Sequence, residues 1–108
     1  MFGEDPTVTK LERKCAEMVG MDAGVYCPSG TMTNQIGIRI LTEPYQEVIC
    51  YQGSHIYKYE GGGLAGNSLV SVRLVAGDRG RHSADDVVAN INNRNNPHLP
   101  YTSIIAIE

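Results

Sequence analysis

Two stretches of this chain carry residues whose types and spacing could do chemistry. Residues 28–34 read PSGTMTN, at the head of an apolar run. A Ser-Gly-Thr turn that opens a helix presents free backbone N–H groups and the positive end of the helix dipole. Gly30 would let an anion approach the backbone, and the hydroxyls of Ser29 and Thr31 can donate to phosphate oxygens. The same physics describes an ordinary capped helix start with Ser29 or Thr31 as the cap. Taken alone, the stretch supports both uses. The spacing GxxxxGK[ST] is absent and GxGxxG does not occur, so neither a nucleotide P-loop nor a dinucleotide fingerprint is present.

The second stretch, residues 52–63, reads QGSHIYKYEGGG. An imidazole just past a strand end, as at His55, can stack on a ligand ring, act as a base or bond to nearby backbone. Glu60 either holds a neighbouring polar group or is a solvated carboxylate. Tyr57 and Tyr59 read as packing residues, and Gly61, Gly62 and Gly63 as a turn needing positive φ. His82 and His98 fall in loops without a carboxylate or cysteine at ligand spacing, so no metal site is read from them. Cys15, Cys27 and Cys50 are odd in number and lack CxxC spacing, which argues against a disulfide framework or a zinc site. Each lies among apolar neighbours and reads as a buried free thiol in a reducing, cytoplasmic setting.

The elements that must position these residues alternate in period. Asp5-Pro6 opens a first helix and Gly20 stops it, with Val8, Leu11, Cys15 and Met18 on one face. Residues 23–27 (AGVYC) read as a short buried strand, and residues 31–41 as a helix apolar around much of its circumference. A strand at 47–51 (EVICY), a short helix in SHIYKYE and an alternating strand at 69–75 (LVSVRLV) follow. Ser83 and Asp86 form a capping box with Asp in place of Glu, and a last strand lies in SIIAIE. Strands alternating with helices predict an α/β domain with a mainly parallel sheet.

With 108 residues the chain has room for one modest core, and 42% hydrophobic against 19% charged residues suits a globular protein. The net charge of −3 is scattered without a basic cluster, which argues against nucleic acid or an acidic membrane surface as a partner. No apolar run reaches the ~20 residues of a membrane-spanning helix.

Taken in order, FGEDPTVTKLE, VYCPSGTMTNQIGIRILT, EVICYQGSHIYKYEGGG and the GDRG turn resemble the threonine aldolases over nearly the whole chain. That family has the aspartate-aminotransferase-like fold and uses pyridoxal 5'-phosphate. The resemblance implies that Ser29, Gly30 and Thr31 bind the cofactor phosphate, and that His55 stacks on the pyridine ring. Glu60 matches an acidic residue near the pocket, and Phe2 an aromatic position near the active site of some members. The implied reaction is retro-aldol cleavage of threonine or allo-threonine to glycine and acetaldehyde, in a cytoplasmic homo-oligomer with active sites at subunit interfaces.

The same resemblance implies that residues 1–108 are the first portion of the cofactor-binding large domain. None of Lys10, Lys14 and Lys58 sits in the family's cofactor-lysine motif. The Schiff-base lysine and the aspartate partner of the pyridine nitrogen are therefore expected elsewhere, and this stretch alone is expected to be inactive. Alternative readings are a truncated, non-catalytic module that pairs with an aldolase subunit, and a portion of a related β-eliminating lyase.

Overall fold

The computed structural model describes residues 3–108. The chain forms two compact units, Met1–Gly30 and Thr31–Glu108. The first holds helix α1, Pro6–Val19, whose boundaries follow from local chemistry. The Asp5 carboxylate accepts from the N–H groups of Thr7 (2.8 Å) and Val8 (3.2 Å), and Pro6 fills the first turn. Gly20 ends the helix at φ 69°, in the left-handed region. The AGVYC stretch is not a strand: it runs as irregular chain. A strand needs a neighbour for its ladder, whereas here the Tyr26 N–H goes to the Glu12 carboxylate at 2.7 Å.

The second unit is built on strand β1, Glu47–Tyr51, between β2, Ser71–Val75, and β3, Thr102–Ala106. All pairings are parallel and the order is β2-β1-β3. Helices α2 (Gly30–Leu41), α3 (His55–Lys58), α4 (Gly63–Gly66) and α5 (Ala84–Val88) complete the chain. Alternation along β1 sends Val48 and Cys50 into a cluster with Ile38, Ile56, Leu64 and Val70, contributed by α2, α3, α4 and the approach to β2. Ile49 faces the other way, onto Val75 and the α5 residue Val87. Both faces of the central strand are thus covered, which is why EVICY is a near-continuous apolar run. Each fully buried Val or Ile there contributes about 1.5–3 kcal/mol.

Glu47 opens β1 and is itself buried. Its Oε1 accepts from Asn92 Nδ2 (2.9 Å) and Thr102 Oγ1 (3.2 Å), with Arg73 Nε 3.6 Å away. The register slips between Glu47↔Thr102 and Val48↔Ile104, so one extra residue of β3 lies opposite this point. The expected strand at 69–75 starts only at Ser71, because Leu69 takes φ 60° and its carbonyl accepts from Tyr45 N–H at 3.0 Å. The expected capping box forms: Ser83 Oγ accepts from Asp86 N–H while the Asp86 carboxylate accepts from Ser83 N–H at 2.8 Å.

The reading of three buried thiols holds for Cys50 alone; Cys15 is exposed and Cys27 intermediate. Helix α2 buries only Ile38, with Met32, Ile36, Ile40 and Leu41 on the surface of this chain. Burial pushes the Cys50 thiol up, the nearby Ser54 hydroxyl opposes this, and the negative charge of Glu108 adds to it. Cys50 in the folded protein should therefore resist thiol reagents until denaturant unfolds it. Native labelling of Cys50 as fast as that of Cys15 would contradict its burial.

The hydrogen bonds from Ser83 hold the Asp86 carboxyl below its ordinary value. A lowered folded-state value stabilises above the unfolded-state value and is lost as pH falls through the folded one. Wild type should accordingly exceed Asp86→Asn in denaturant midpoint at neutral pH, and the gap should close on acidification. A gap independent of pH would argue against the cap.

Candidate functional site

His55 is placed by the fold at the carboxyl end of β1, where open α/β sheets bind ligands. After Tyr51 the chain turns through Gln52-Gly53-Ser54, and His55 begins α3. Its side chain is 56% exposed, whereas that of Glu60 is 1% exposed. The two meet with Nδ1 of His55 3.0 Å from Oε1 of Glu60. The same oxygen accepts from Nδ2 of Asn34 at 2.7 Å. Where Glu60 is ionised its oxygens can only accept, and Nδ1 is then the donor with Nε2 left for another partner. Oε2 of Glu60 is buried and makes no hydrogen bond among the described residues. Glu60 is thus no solvated carboxylate: it holds a ring.

The backbone around Glu60 is fixed by a second set of amides. Gln35 Nε2 reaches the Glu60 carbonyl (3.4 Å), Gln35 Oε1 accepts from Asn67 Nδ2 (2.5 Å), and Ser68 Oγ donates to the Gln35 carbonyl (2.9 Å). Gly61 and Gly62 take φ 61° and 75°, as the glycine run led us to expect. Gly63 does not share that conformation; a Cβ there would meet the Gln35 side-chain amide as it now sits, and that amide would have to swing aside. Tyr57 and Tyr59 are both exposed, which corrects their reading as packing residues; Tyr59 is the more open of the two. One turn on from His55, its ring lies 5.7 Å from the imidazole, tilted by 43°.

Gly30 and Thr31 occupy the first turn of α2, and Ser29 directly precedes it. A Cβ on Gly30 would meet nothing within 4 Å, so glycine is not demanded by packing and the backbone there is open to approach. Asn34 sits one turn beyond Thr31 in the same helix and bonds Glu60, the residue that meets His55. Phe2 lies outside the described residues. His82 bonds locally, Nδ1 lying 3.1 Å from the Gly80 carbonyl. Sequence reasoning passed over Asn34, Gln35 and Glu108 and gave Tyr59 only a packing role. For Asn34 and Tyr59 a signal existed: each stands a helical turn from a residue already singled out.

The description of the matching family model decides the kinship: it is that of the beta-eliminating lyases, and it matches residues 1–108. The chain belongs to the beta-eliminating lyase family. Relatives carry a more specific name. The low-specificity L-threonine aldolase of Candida albicans is 35% identical over 112 residues, covering 100% of this chain and 30% of that protein. The low specificity L-threonine aldolase of Saccharomyces cerevisiae is 42% identical over 66 residues, 60% of this chain and 17% of its own length. A probable low-specificity L-threonine aldolase 2 of Arabidopsis thaliana is 34% identical over 111 residues, 100% of this chain and 31% of the relative. The chain thus spans less than a third of each of these curated relatives. The α/β architecture with its parallel sheet agrees with the fold expected of this lyase family. Among the described residues, no helix is long and apolar enough to cross a membrane.

If Glu60 governs the imidazole, nitrogen-15 NMR should find the His55 proton on Nδ1, and Glu60→Ala should abolish that preference. Asn34→Ala, which strips a donor from a buried carboxylate, should cost about 1–3 kcal/mol in denaturant unfolding. An unchanged tautomer in Glu60→Ala would refute the role.

Proposed function

We propose that this chain is the cofactor-seating portion of the large domain of a pyridoxal-phosphate-dependent lyase that cleaves threonine, or a like β-hydroxy-α-amino acid, to glycine and an aldehyde. The observation that carries the reading is the half-exposed imidazole of His55, held by a buried carboxylate at the carboxyl end of the sheet. The kinship with named threonine aldolases supports the choice of substrate class.

The residues fit the cofactor on two counts. The open backbone at Gly30, flanked by the Ser29 and Thr31 hydroxyls, suits a phosphate dianion at a helix start. The exposed ring of His55, held by the buried Glu60, suits an aromatic ligand. Pyridoxal phosphate, when bound, supplies an electron sink for the charge left at the substrate Cα.

The chain's own residues do the rest. Ser29, Gly30 and Thr31 would hold the phosphate through backbone N–H and hydroxyl donors. His55 would lie against the ring and limit its rotation. Glu60 keeps the proton on Nδ1 of His55, and Asn34 keeps Glu60 aimed at that atom. We assign no covalent anchor to Lys10, Lys14 or Lys58, and we take the intact enzyme to be a cytoplasmic homo-oligomer, as the resemblance implies.

In the intact enzyme, Ser29→Ala combined with Thr31→Val should raise the dissociation constant for pyridoxal phosphate about tenfold or more, the loss of hydrogen bonds to a charged group. Absorbance titration of the cofactor-free protein measures this. An unchanged constant would refute the phosphate seat.

A further inference from the structure

Helix α3 has only four residues, His55–Lys58, too few to hold its own orientation. Ser54 stands at its N-cap with extended backbone (φ −61°, ψ 147°), where a serine hydroxyl ordinarily caps. That hydroxyl makes no cap bond; it is buried instead. The capping is done from the far end of the fold. Glu108, just beyond β3, accepts from the His55 N–H with Oε2 at 2.6 Å and from the Ile56 N–H with Oε1 at 3.1 Å. These are charge-assisted bonds, one on each oxygen, to the first two amides of the helix.

We propose that Glu108 is a positioning residue for His55, fixing the backbone of the histidine while Glu60 fixes its ring; this rests on the reading of His55 as the residue that lies against the cofactor. Three contacts then define α3. Ile56 is buried in the core, Glu108 seizes the first turn, and Glu60 takes the imidazole. A local cap by Ser54 would have satisfied the same amide without relating His55 to any other strand. A carboxylate from residue 108 instead ties the exit of β1 to the exit of β3, adjacent parallel strands. The imidazole plane is thereby set by two carboxylates from separate elements, each gripping a different part of one residue.

The test uses the full-length enzyme with pyridoxal phosphate, comparing wild type, Glu108→Gln, Glu108→Asp and His55→Phe. Glutamine can accept only one of the two amides, and aspartate keeps the charge on a shorter reach. Glu108→Gln should lower kcat about tenfold to a hundredfold with KM nearly unchanged, as slight misplacement of a bound group does. It should also alter the visible circular dichroism of the bound cofactor, with Glu108→Asp intermediate. In the cofactor-free wild type, the His55 and Ile56 amides should exchange with deuterium more slowly than in Glu108→Gln. If His55→Phe changes kcat and the cofactor signal but neither Glu108 variant does, the proposal alone is overturned. If His55→Phe itself changes nothing, the reading of the site fails and the proposal with it. Should the variants not fold, rapid exchange of the His55 and Ile56 amides in the wild type would overturn the proposal.

Discussion

A carboxylate taken out of water has to be paired, and the second unit meets that demand at both ends of its central strand. At the start of β1, Glu47 accepts from Asn92 and Thr102 and faces the charge of Arg73 at 3.6 Å, joining three other segments into a static corner. Beyond the end of β1, Glu60 has a different set: one amide behind it and one imidazole in front. Its second oxygen has no such bond among the described residues. The first arrangement closes a structure. The second leaves a half-exposed ring held at a fixed angle, the condition for a surface that receives a flat ligand.

The sheet is what brings these groups together. Because β1 is covered on both faces, the chain leaving it has a defined starting point, and three short residues later it reaches His55. Helix α2 packs Ile38 into the same core and carries Asn34 on the turns before it, where Asn34 reaches Glu60. The glycine run then turns the chain back toward Gln35, whose side-chain amide packs close against Gly63. Rigid scaffolding with a polar edge at the carboxyl ends of the strands is the general plan of open α/β binding sites.

Features that depend on neighbours within a turn were legible in the sequence. Asp5-Pro6 and Gly20 mark the limits of α1, and Ser83 with Asp86 marks the start of α5, because caps are local chemistry. The strands at β1, β2 and β3 were legible to within a residue or two. AGVYC was misread, since apolar β-branched residues say nothing of whether a neighbouring strand is there to pair with. The proposed site was half legible: PSGTMTN and His55 stand out by type, and the resemblance suggested roles for them. That Glu60 is buried, that Asn34 holds it, and that Glu108 caps a helix 53 residues earlier are consequences of crossover connections. No periodicity encodes them.

The central claim is that one ligand touches both the open end of α2 and the imidazole held by Glu60. A crystal structure of the intact enzyme with pyridoxal phosphate tests it most directly. The account predicts phosphate oxygens within hydrogen-bond distance of the Gly30 and Thr31 amides and the pyridine face against His55. A phosphate seated elsewhere, or a ring out of contact with His55, would contradict it.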